Sequence, residues 1–142
     1  MRNFAFSHAP ITREELAAVL ARTVALRNGT PGFTDAGAVS GAVNYVLTVL
    51  REDWMRGDPD GRFRPGDGII RAEVATAINR TLDRADSNEA LPPIQNPADA
   101  RDFADVHDEA WYFASVLAVA NDHRNRVHID TGDVVVKVIL VN

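Results

Sequence analysis

Arg13 and Arg71 carry the most distinctive chemistry in this chain, because each stands in the first turn of a helix pattern. A guanidinium offers a planar fork of donors, and a helix N-terminus adds partial positive charge beside it. Together they attract a carboxylate. The plainer alternative is a local salt bridge, to an upstream Asp or to the Glu two positions on, Glu15 or Glu73. Those two glutamates themselves suit capping and helix-end electrostatics. Asp35 and Asp105 precede helix patterns, where a carboxylate caps backbone N–H groups. Trp111 has an apolar body that favours packing with its N–H satisfied.

Other chemistries are poorly supported. There is no cysteine, which removes disulfides, thiolate catalysis and Cys-ligated zinc. His8, His107, His123 and His128 lack His-Glu-x-x-His spacing. Asp58-x-Asp60-Gly61 begins like a calcium loop, but an EF-hand counted from Asp58 needs Gly at its sixth place and Glu at its twelfth. Phe63 and Ile69 stand there. Ser40, in Gly37-Ala38-Val39-Ser40-Gly41, lacks the strand and the Gly-x-Ser-x-Gly pattern of a nucleophile elbow. Acidic residues are plentiful, yet none sits in a recognisable glycosidase setting. A small hydrolase is therefore the weakest of the functional readings, and no cofactor is implied.

The elements that position these residues are repeated. Arg13-Glu14-Glu15-Leu16-Ala17 to Val24 aligns without a gap on Arg71-Ala72-Glu73-Val74-Ala75 to Leu82, 58 residues on, from position 13 to position 71. Self-similarity at a fixed offset signals units that bury their apolar faces against one another. A helix is expected from Thr12 to about Ala25, with Leu16, Val19, Leu20, Thr23 and Val24 as its apolar stripe. Thr12 and Glu15 have capping-box spacing. Further helices are expected over Val39 to Leu50 and Arg71 to Arg84. The stretch Gly57-Asp58-Pro59-Asp60-Gly61 reads as a tight turn, since Pro presets φ and Gly tolerates positive φ. A second duplication relates Phe33-Thr34-Asp35 to Phe103-Ala104-Asp105, Gly41 to Trp111, Val46-Leu47 to Val116-Leu117, and Val49 to Val119. Residues 86–101 read as a linker, with Leu91-Pro92-Pro93 and Asn96-Pro97. The β-branched run Val134 to Val141 reads as a strand.

The chain has 142 residues, 46% of them hydrophobic and 25% charged, in the ordinary range for a globular protein. Its formal charge of −5 and scattered Arg residues argue against nucleic acid as a partner. No apolar run approaches the roughly 18 residues of a spanning helix, so no membrane insertion is expected. The N-terminus lacks an apolar core of signal-peptide length. Because residue 13 already opens the last helix of a repeat, the chain reads as a fragment whose export signal lies elsewhere.

In their order these motifs resemble the S-layer homology family. Phe33-Thr34-Asp35 opens the complete unit. Gly57-Asp58-Pro59-Asp60-Gly61-Arg62-Phe63-Arg64-Pro65 and Ile69-Ile70-Arg71-Ala72-Glu73 close it. Ile11-Thr12-Arg13-Glu14-Glu15 is similar to the tail of a preceding unit, and Phe103-Ala104-Asp105-Val106 with Trp111 to the head of a following one. Gly41 stands where the family has Trp, and Ile70 where it has Thr. After His123 the Gly-rich turn and the Arg-Ala-Glu are missing.

The resemblance implies an all-α fold of helical repeats, a partial pseudo-threefold bundle, here with a short C-terminal β-strand. It divides the chain into the end of a first repeat (1–32), a complete repeat (33–85), the linker (86–101), the start of a third repeat (102–124) and a divergent tail (125–142). It implies a non-catalytic module at the cell surface that binds secondary cell-wall polysaccharide, often through an acidic pyruvylated sugar, and anchors a larger protein. Arg13 and Arg71 would then face the carboxylate. Asp35 and Asp105 would accept sugar hydroxyls, and Trp111 would stack on a sugar face. Glu15, Glu73, Asp60 and Gly61 would support them. The alternative is a degenerate fragment that serves only in packing. An incomplete bundle would leave apolar faces open and favour a homo-oligomer.

Overall fold

The structure is a computed structural model that describes residues 10–41, 43–84, 86–87 and 103–121, with the backbone of two strands at 123–130 and 133–140. Among the described residues the fold is helical: α1 (Arg13–Ala21), α2 (Val43–Arg51), α3 (Arg71–Thr81) and α4 (Phe113–Ala120), with a 3-10 turn at Ala36–Ala38. None of these helices is long and apolar enough to cross a membrane. The β-branched run forms β2 (Asp133–Leu140), which pairs antiparallel with β1 (His123–Asp130), His123 opposite Leu140. Most of the expected linker, residues 88–101, lies outside the described residues.

The chain divides into two compact units, Met1–Ile70 and Arg71–Asn142. The division falls at the head of α3. α1 packs on α2 in the first unit, and α3 packs on α4 in the second.

All three expected helices are shorter than their periodicity suggests. Thr12 and Glu15 do form the capping box: Thr12 N–H donates to Glu15 Oε2 at 2.7 Å, and Glu15 N–H to Thr12 Oγ1 at 3.3 Å. α1 stops at Ala21 because Thr23 N–H and Thr23 Oγ1 both turn back to the Leu20 carbonyl, at 3.1 and 2.8 Å. Its buried face is Leu16, Ala17, Leu20 and Ala21, while Val19 is 55% exposed. Small alanines let α2 approach closely and rotate the contact away from the expected stripe.

Val39 is extended (ψ 118°), ending the 3-10 turn, so α2 starts only at Val43. Asp53 (φ 55°) and Asp83 (φ 51°) take left-handed conformations past α2 and α3. They let Trp54 N–H reach Val49 O at 2.9 Å and Arg84 N–H reach Asn79 O at 2.8 Å, the six-to-one bond of a Schellman stop.

The first unit's core gathers Leu16, Leu20, Phe33, Val46, Val49, Met55 and Phe63, all buried. The second unit's helix contact uses small and polar groups. Thr76 Oγ1 pairs with Ser115 Oγ at 2.9 Å, and Asn79 Nδ2 donates to Ser115 O at 2.9 Å. Asp86, at the start of the expected linker, takes an ion pair from Arg80 at 2.6 Å.

Candidate functional site

In the first unit Arg13 turns towards the tight turn. Its Nε donates to Phe63 O at 2.8 Å and its Nη2 to Arg56 O at 2.7 Å, and the guanidinium lies 5.0 Å from the Phe63 ring centroid. Asp35 grips the same turn from the other side, accepting from Phe63 N–H and Arg64 N–H at 2.8 Å each. Asp35 does not make the local contact first expected of it, since its side chain does not cap the 3-10 turn. Asp60 and Gly61 build the turn itself. Gly61 has φ 79° and receives Thr34 N–H on its carbonyl at 2.9 Å. Asp60 accepts from Arg62 N–H at 3.0 Å and from the Arg64 guanidinium at 3.1 Å, with Asp58 as that guanidinium's other partner.

These donors act on the acidity of Asp35. Desolvation pushes its pKa up, but the N–H groups of Phe63 and Arg64, helped by the Arg62 charge, outweigh it and bring the pKa below the ordinary 3.8. A carboxylate with a depressed folded pKa contributes stability above its unfolded pKa and loses it as the pH falls through the folded value. Unfolding free energy should therefore fall with pH below 4 more steeply in the wild type than in Asp35→Asn. Equal slopes in acid urea titrations would contradict the assignment.

The second unit leaves the counterparts open. Arg71 Nη2 pairs with Asp105 Oδ2 at 2.9 Å, with the two side chains 64% and 70% exposed, and the guanidinium lies 5.6 Å from the Phe103 ring. Trp111 is 58% exposed and meets Tyr112 edge-on at 5.4 Å. Glu73 lies in the first turn of α3.

Each unit carries a cavity. The first unit's, about 250 Å³, is lined by Glu14, Glu15, Arg22, Ser40, Gly41 and Tyr45, with Ala18, Val39 and Val46 behind. Glu14 accepts from Ser40 N–H at 2.9 Å and from the Ser40 hydroxyl, which fixes the loop against the helix. Arg22 lies 5.4 Å from the Tyr45 ring centroid. An aromatic face, a cation, two carboxylates and a hydroxyl around an open cleft are the groups that hold a hydroxyl-rich ligand. The second unit's cavity, about 200 Å³, is apolar except at the Arg71 rim. Sequence reasoning passed over Glu14, Arg22, Ser40 and Tyr45. One signal was available: Glu14 faces Ala72 across the otherwise well-matched repeat.

Residues 32–75 match the family model described as the S-layer homology domain. The matched stretch is thus similar to an S-layer homology domain. It runs from the residue before Phe33, through α2 and the Gly57–Pro65 turn, into the start of α3. The chain is also similar to a cellulosome-anchoring protein of Acetivibrio thermocellus, 29% identical over 133 residues, covering 89% of this chain and 28% of that protein. Similarity extends to cell surface glycoprotein 1 of the same organism, 26% identical over 113 residues, covering 80% of this chain and 4% of that protein. The chain thus spans less than a third of either relative. No solved structure matches it.

Proposed function

We propose that this chain is a non-catalytic binding module that holds a larger protein on a bacterial cell surface by gripping cell-wall polysaccharide. The S-layer homology match and the names of the two relatives, an anchoring protein and a cell surface glycoprotein, support the surface role. The observation that carries the saccharide reading is the polar cleft of the first unit, which Ser40, Glu14, Glu15 and Arg22 line together with Tyr45. Sugar hydroxyls both donate and accept, and a cleft with both kinds of partner and an aromatic face suits them.

The cleft's two carboxylates favour an uncharged sugar there. An acidic substituent such as a pyruvyl ketal is assigned to Arg71 in the second unit, whose guanidinium is exposed and paired with an exposed carboxylate. Asp105 and the exposed Trp111 would supply hydroxyl acceptance and ring stacking. Arg13 and Asp35 hold the turn of the first unit, and Glu15 caps α1.

Retention on purified sacculi tests the reading. Wild-type chain should sediment with sacculi and stay in solution once the secondary polymer has been stripped. Arg22→Glu, at an exposed position, should keep its helical circular dichroism and lose at least about tenfold in retention. Retention on stripped sacculi, or unchanged retention by Arg22→Glu, would refute the cleft.

A further inference from the structure

The internal repeat lets one unit report what the other lacks. In the first unit the face formed by Leu16, Ala17, Leu20, Val46 and Val49 is closed, with exposures of 6, 0, 8, 1 and 0%. The chain after α2 closes it. Met55 is 4% exposed and its N–H donates to Val49 O at 3.2 Å, and Phe63 is fully buried beneath Arg13. The matching residues of the second unit are Val74, Ala75, Ile78, Val116 and Val119, and these line the open apolar cavity of about 200 Å³. Val119 is 42% exposed where its counterpart Val49 is 0%. The reason is in the sequence: past α4 the chain enters β1, and no second Gly-x-Phe-x-Pro turn follows.

We infer that the second unit's cavity is a docking seat for a Phe-x-Pro turn supplied by a polypeptide segment from outside residues 1–142. The chemistry of the occupant is read from the first unit. A phenyl ring fills the apolar floor, and the carbonyl of the same residue accepts from the arginine at the rim. The volume is sufficient, since an apolar cavity of about 150 Å³ takes up benzene. Arg71 exchanges Asp105 for that carbonyl, as Arg13 is held by Phe63 O. A folded second copy of this chain cannot supply the ring, because its own Phe63 is fully buried. The partner is therefore a polypeptide whose Phe-x-Pro turn is not already seated. The aliphatic floor offers no partner to sugar hydroxyls, so this seat stands apart from the polar cleft of the first unit.

A fluorescently labelled peptide with the sequence of residues 52–65, titrated with the full chain and followed by anisotropy, tests the seat. Binding should saturate. It should weaken at least about tenfold when the chain carries Val119→Asp, with ellipticity unchanged, and equally when the peptide carries Phe63→Ala. Should Val119→Asp lose helicity, the peptide substitution alone decides. Arg22→Glu should leave peptide binding intact, so failure of the saccharide cleft and failure of the seat are read separately. Absence of saturation, or indifference to the peptide's phenylalanine, would overturn the proposal. So would sedimentation showing a dimer of the chain alone that Val119→Asp dissociates, because the occupant would then be a second copy.

Discussion

Phe63→Ala is expected to cost about 3–5 kcal/mol, the range for deleting a buried aromatic ring. The ring is fully buried, sits 5.9 Å from Phe33 at a tilt of 53°, and carries the Arg13 guanidinium on its face. Asp35 also ties the backbone N–H groups of Phe63 and Arg64, which opposes collapse of that stretch into the space. A small domain has only about 5–15 kcal/mol in hand, so this one truncation should lower the urea midpoint sharply or abolish the folded baseline. A loss under about 1 kcal/mol would mean that the turn is not the keystone of the first unit.

The second large effect separates two arginines that the sequence makes equivalent. Arg13→Ala should cost about 2–3 kcal/mol, since it removes two charge-assisted hydrogen bonds to carbonyls and a cation–π contact. Arg71→Ala should cost no more than about 1 kcal/mol, the usual worth of an exposed ion pair. Its expected effect is on wall binding, where loss of the guanidinium removes the partner for an acidic sugar. Paired urea titrations and sacculus sedimentation would show the split. If both variants lost equal stability, the two helix heads would be doing the same job, and the contrast between a half-buried and an exposed arginine would be wrong.

That contrast also explains what the sequence made legible. The capping box at Thr12 and Glu15 was readable because it is local: two side chains three residues apart satisfy each other's backbone. The β2 strand followed from β-branched composition. Helix ends were not readable. Asp53 and Asp83 end helices by adopting positive φ, and apolar spacing carries no trace of that. Nor was the use of Arg13 and Asp35, whose partners are backbone groups 50 and 28 residues away. Backbone carbonyls and N–H groups have no letter in a sequence. The cleft at Ser40 and Tyr45 arises where a loop meets a helix, and only the mismatch of Glu14 with Ala72 pointed towards it. Trp111, expected to pack, is exposed and meets its neighbour Tyr112 edge-on.

Calorimetric titration of purified secondary wall polymer into the chain tests the anchoring account most directly. The account predicts saturable binding that Arg22→Glu abolishes and that Arg71→Ala weakens more as the polymer carries more acidic substituents. A flat titration with intact polymer and a folded chain would contradict it.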